Sequence, residues 1–133
     1  MLSPVLPWPL NTGSKMRVFY VLRELSRARH EVTLVANSDE PYNEVDLHIL
    51  RQCCAELHVI AAQNRSREKT ALRSLFYNEP YGVAKLESKR FKHVIAQAIR
   101  EHYDMIWVHF TETLAYIPEE FQQEKKTLIV LDQ

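Results

Sequence analysis

Five polar or basic side chains crowd around one of the chain's two glycines and are its first candidates for chemistry. The run Asn11-Thr12-Gly13-Ser14-Lys15-Met16-Arg17 joins turn-forming residues to a segment that reads as helix. A helix start offers unbonded N–H groups and the positive end of the macrodipole, which suits a phosphate or another anion. Gly13 lets a ligand approach the backbone closely. Lys15 and Arg17 fall in the first turn, where the dipole disfavours cations, and an anion nearby would reverse that cost. Arg17 is the better anion partner, because its planar fork binds phosphate or carboxylate through two bonds. The plainer reading is an ordinary loop–helix junction with solvated charges.

His109 lies next to last in the run DMIWVHF. An imidazole at the end of a buried strand could bond a hydroxyl or assist proton transfer, or it could be a core histidine held by backbone. Glu112 could accept a proton or bind a hydroxyl, and equally suits the start of a following helix. Trp8 could stack on a flat ligand face or pack beneath its loop. His30, His48, His58, His93 and His102 share no ligand spacing and read as structural or surface residues. The adjacent Cys53 and Cys54 are too close in sequence to pair without strain, and no zinc pattern surrounds them. A reducing compartment is the simpler setting.

The elements that must hold these groups alternate. Residues 3–14 read as a loop rich in breakers: Pro4, Pro7, Pro9, Asn11 and Gly13. Val18, Val21, Leu22 and Leu25 form one apolar stripe, which predicts a helix over 14–29 with Thr12 or Ser14 as its cap. Strands are predicted at 30–36, 56–62, 104–110 and 126–132, with helices at 43–54, 83–102 and within 112–121. Apolar strands separated by helices imply a parallel sheet covered on both faces. Right-handed crossovers then give a Rossmann-like three-layer α/β domain with a mostly parallel sheet. Its ligands belong at the carboxyl ends of the strands, at residues 7–17, 109–112 and 132 onward. The loop at 3–14 behaves as a first strand's exit, yet only residues 1–6 could be that strand. Pro4 interrupts them, so the first strand is expected to be missing or reduced to a stub.

Composition bounds the rest. The 133 residues fit one domain, with 46% hydrophobic and 26% charged residues, as in ordinary globular proteins. Lys plus Arg and Asp plus Glu number 17 each, a balance that argues against nucleic acid as the main partner. With two glycines there is no G-x-G-x-x-G fingerprint, so a phosphate loop must work with one. The opening MLSPVLPWPL has three prolines and no basic flank, unlike a signal peptide, and the apolar runs are too short to cross a bilayer. Arg65, Arg67, Lys69 and Arg73 form one basic cluster, and Lys85, Lys89, Arg90, Lys92 and His93 another. With Leu75, Phe76 and Tyr77 they could lean on an anionic membrane surface, or be a solvated face.

The stretch LPWPLNTGSKMRVFYVLRELSRARHEVTLV is similar to the opening of family-four-like GT-B glycosyltransferases. YDMIWVHF resembles that family's histidine-ending strand, and LIVLDQ its next strand. The resemblance covers most of the chain and implies the N-terminal, acceptor-side domain of such an enzyme. The C-terminal domain that supplies most donor contacts has no counterpart here, so this chain alone is not expected to complete transfer. The resemblance further implies a nucleotide-diphospho-sugar as substrate, a glycan or lipid-linked acceptor, and no separate cofactor or metal. It places His109 near the transferred sugar, and Asn11, Gly13, Ser14, Lys15, Arg17 and Glu112 at the donor phosphate or substrate. A cytoplasmic location, with contact at the inner face of the membrane, fits the same reading. The competing expectation is a non-catalytic fragment or binding module that needs a partner chain, or self-association, to complete its sheet.

Overall fold

The runs Thr33–Ser38 and Met105–His109 carry apolar side chains at successive positions, so neither face of the sheet they form can be left to water. The computed structural model describes residues 1–61, 89–101, 103–119, 121 and 127–132. Within them five strands form one sheet: β1 (Leu2–Ser3), β2 (Thr33–Ser38), β3 (Glu56–Ala61), β4 (Met105–His109) and β5 (Leu128–Asp132). Their order is β3-β2-β1-β4-β5, and every neighbouring pair is parallel. Helices α1 (Gly13–Arg27), α2 (Glu44–Arg51), α3 (Lys89–Ile99) and the short α4 (Thr111–Leu114) complete the described elements. This is the Rossmann-like α/β arrangement, with sheet order reversing at β1.

Two apolar layers hold it together. On one face Leu2, Val35, Ile60, Ile106 and Val108 meet Phe91, Ile95 and Ile99 of α3, with Tyr116 and Ile117 beyond α4. On the other, Leu34 and Ala36 meet Phe19 and Leu22 of α1 and Leu47 and Leu50 of α2. The stripe along α1 lies where its spacing put it: Val18 and Leu22 are fully buried, while Val21 and Leu25 are half-buried.

The first strand is indeed a stub, but a central one. Leu2 lies opposite both Val35 of β2 and Val108 of β4. Pro4 has no N–H for a ladder, and Ser3 Oγ both donates to Val5 O at 2.7 Å and accepts from Val5 N at 3.2 Å, which turns the chain out of the sheet.

Boundaries differ where single residues decide them. Thr12 caps α1, accepting from Lys15 N at 3.3 Å. The helix stops at Arg27 rather than 29 because Arg29 enters the left-handed region, at φ 65°, without the glycine that usually marks it. β2 starts later and runs on to Ser38, since Asn37 and Ser38 find partners in Ile60 and Ala61 of β3. α2 begins with a reciprocal cap between Asn43 and Asp46. The start of the long helix predicted over 83–102, the basic cluster Arg65, Arg67, Lys69 and Arg73, and Lys85, Leu75, Phe76 and Tyr77 lie outside the described residues. Lys89, Arg90, Lys92 and His93 are exposed on α3. Among the described residues no helix is long and apolar enough to cross a membrane.

Leu22 tests the α1 layer. Leu22→Ala removes a side chain with 0% exposure from the cluster around Leu34 and Leu50. Urea denaturation is expected to show a loss of about 2–5 kcal/mol, whereas Val45→Ala, at an exposed site, should cost under about 0.5 kcal/mol.

Candidate functional site

In a doubly wound sheet the crevice lies where the order reverses, because the loops after the two central strands leave in opposite directions. Here those strands are β1 and β4. The exit loop of β1 runs to the start of α1, and β4 exits through His109 and Phe110. The groups singled out by residue type therefore converge on one end of the sheet.

A carboxylate joins them. Asp132, last residue of β5, lies opposite His109 in the parallel register, so both side chains leave the same face. Arg17 reaches across from α1 and grips Asp132 through both arms of its fork: Nε donates to Oδ2 at 3.2 Å and Nη2 to Oδ1. His109 Nδ1 lies 3.0 Å from Asp132 Oδ2. That approach is off the N–H axis, so neither ring nitrogen has an aligned hydrogen-bond partner among the described residues.

Burial sets the protonation state. His109 is fully buried. Loss of hydration pushes its pKa down from 6.5 to about 4, outweighing the neighbouring Asp132 carboxylate, which raises it. The imidazole is therefore neutral at pH 7, with one nitrogen a donor and the other a lone-pair acceptor. Asp132 is partly accessible and the Arg17 side chain is 47% exposed, so solvent and solutes meet the arginine before the histidine.

Phe110 adds a strained hinge beside this cluster. Its φ of 63° and ψ of 138° are costly for a bulky residue. Such a conformation costs on the order of 1–3 kcal/mol and tends to accompany functional sites. It is held by Phe110 N donating to Asp132 O at 2.8 Å and Thr113 N donating to Phe110 O at 3.1 Å. Thr113 Oγ1 is buried without a partner among the described residues.

The remaining sequence candidates divide. Gly13 opens α1 with nothing within 4 Å of where a Cβ would sit. The N–H groups of Gly13 and Ser14 have no acceptor among the described residues, and Ser14 Oγ lies 3.2 Å from Thr12 Oγ1. Lys15 turns away from Arg17: it is buried and its ammonium is engaged by Glu40. The two cations near the start of α1 are thus each matched by a carboxylate of the chain. Asn11 is exposed, its N–H donating to Pro9 O at 2.9 Å. Glu112 is half-buried in the first turn of α4, without an ion pair to His109 or Arg17. Trp8 packs on Phe19 with ring centres 5.3 Å apart, its place beneath the loop. His30, His48, His58 and His93 are exposed, and no group of three metal-binding side chains occurs among the described residues.

Residue types had pointed to Arg17 and His109 but not to Asp132 or Phe110. For Asp132 a signal existed: an acid ending an apolar run occupies the same strand position as His109. For Phe110 there was none, since its sequence gives no hint of a positive φ. No protein-family model matches the chain, and no curated protein or solved structure gives a significant match.

The buried neutral histidine makes stability depend on pH. Between pH 6.5 and 4 the unfolded chain holds a proton on His109 that the folded chain does not, so stability falls as pH drops through that window. Chemical denaturation should show this contribution shrinking by about 2 kcal/mol between pH 6.5 and roughly pH 5. His109→Gln should remove that part of the slope, and an unchanged slope would contradict the assignment.

Proposed function

We propose that this chain is the acceptor-side, N-terminal half of a nucleotide-sugar-dependent glycosyltransferase of the GT-B kind, acting on a glycan or lipid-linked acceptor. The observation that carries the reading is the meeting of Arg17 and His109 at one carboxylate, beside the open start of α1, at the switch point of the sheet. The letter-by-letter resemblance of residues 6–35 to that family supplies the substrate class.

A donor diphosphate would compete with Asp132 for the fork of Arg17, and its oxygens would accept from the free N–H groups of Gly13 and Ser14. Charge building on the departing nucleotide would then be stabilised by the helix dipole and a bidentate cation. Asp132, released from Arg17, would align with His109 Nδ1 and leave Nε2 as a hydrogen-bond acceptor for a sugar hydroxyl. Asn11 and Glu112 would border the substrate, and Lys15 would hold the loop through Glu40 rather than touch phosphate. A second domain would supply the remaining donor contacts. A cytoplasmic enzyme working at the inner membrane face fits the exposed Lys89, Arg90, Lys92 and His93 on α3.

The second reading is a non-catalytic module completed by a partner chain. It is favoured by β5, an edge strand whose Leu128 and Leu131 are 59% and 39% exposed.

Calorimetric titration with uridine diphosphate and its hexose conjugates tests the first reading. Binding is expected to be weak, and Arg17→Ala should weaken it at least about tenfold. Equal binding by the variant, or none by either protein, would overturn the proposal. A mass that doubles with concentration in the non-binding case would point to the second reading.

A further inference from the structure

One oxygen of Asp132 faces two partners. Oδ2 accepts from Arg17 Nε at 3.2 Å and lies 3.0 Å from His109 Nδ1. The guanidinium takes the aligned bonds, to Oδ2 and to Oδ1, and the imidazole is left beside them. His109 is fully buried, and neither ring nitrogen has an aligned partner among the described residues. A buried polar ring in that condition is costly, which favours any arrangement that bonds it.

Burial is the main influence that keeps a proton off the ring. The Asp132 carboxylate on β5 favours one, while the Met1 amine next to β1 and Arg17 on α1 oppose it. The other charged groups at this end of the sheet are engaged elsewhere or apart from it: Lys15 is held by Glu40, and Glu112 of α4 forms no ion pair with His109.

Arg17 is the accessible member of the cluster, with 47% of its side chain exposed against 15% for Asp132 and 1% for His109. A solute oxyanion therefore meets the guanidinium first. An oxyanion that takes the Nε–Nη2 edge displaces Asp132, which holds those same donors. The exchange removes the carboxylate's cation and adds negative charge close by. A largely buried carboxylate without a cation is unfavourable. His109, 3.0 Å away, can supply one by taking a proton.

We propose that Asp132 is a proton-operated latch on the anion site: it holds Arg17 while the site is empty and pairs with a protonated His109 when an oxyanion takes the guanidinium. The proton comes from solvent and adds to the free lone pair of the ring, and Nδ1–H then donates to Asp132 Oδ2. Anion and proton thus bind together, and each raises the affinity for the other by the same factor. The inference rests on the anion-binding part of the sugar-transfer reading and needs neither a sugar nor a second domain. Above about pH 7 the ring stays neutral with or without the anion, so Nε2 remains an acceptor there.

The test uses sulfate, which keeps its charge across the range, added to the full chain and compared with chloride at matched ionic strength. NMR titration should show the His109 midpoint rising from about 4 to roughly 6 in saturating sulfate and staying in place in chloride. Sulfate should bind about tenfold more tightly at about pH 5 than at about pH 7.5. In Asp132→Asn that affinity should change by less than about threefold over the same range. Sulfate that binds without moving the midpoint would overturn the latch and leave the anion site standing. Absence of sulfate binding at every pH would overturn both. An equal pH dependence in Asp132→Asn would also overturn the latch, by assigning the effect to the exposed histidines.

Discussion

One carboxylate joins the two ends of the described chain. Asp132 is gripped by Arg17, 115 residues away in sequence, and lies against His109 on the neighbouring strand. Each partner constrains the others. Arg17 compensates a charge that would otherwise sit unmatched at the end of the edge strand β5. Asp132 in turn offsets the cost of placing a cation near the start of α1. His109 stays neutral because burial outweighs the nearby carboxylate. The pairing is partly exposed, so its worth to stability is modest. Its larger consequence is positional, since it fixes the start of α1 against the ends of β4 and β5.

The sheet makes this possible through its order. With β1 central, the sheet order reverses between β1 and β4, which brings the exits of both strands to one place. The shortness of β1 does not disturb that end. Its two residues still pair with both neighbours. Charged groups converge at its carboxyl end. Strain at Phe110 lies at that same end of the sheet, next to His109, and it is over-determined there by bonds to Asp132 and Thr113.

Much of this was legible from the residues. Periodicity found the four strands after the first and the stripe on α1, because apolar spacing records burial directly. Pro4 foretold the stub. What escaped were features set by partners distant in sequence. Asn37 and Ser38 look like loop residues and are strand because β3 pairs with them. Lys15 and Arg17 look alike on the helix start, yet one is turned to Glu40 and the other to Asp132, a division that no local pattern encodes. Arg29 and Phe110 take positive φ without glycine, so ordinary turn signals were silent. The site residues were half visible: the histidine and arginine were marked by type, and the acid between them became visible only once strands β4 and β5 were set in register.

Arg17, Asp132 and His109 form one electrostatic unit, and the titration of the imidazole read by NMR tests this most directly. His109 should titrate at about 4, against an ordinary value of 6.5. Removing the carboxylate with Asp132→Asn should lower that value further, and removing the guanidinium with Arg17→Ala should raise it, as the sign of each charge requires. A histidine that titrates near 6.5 and is moved by neither substitution would contradict the account.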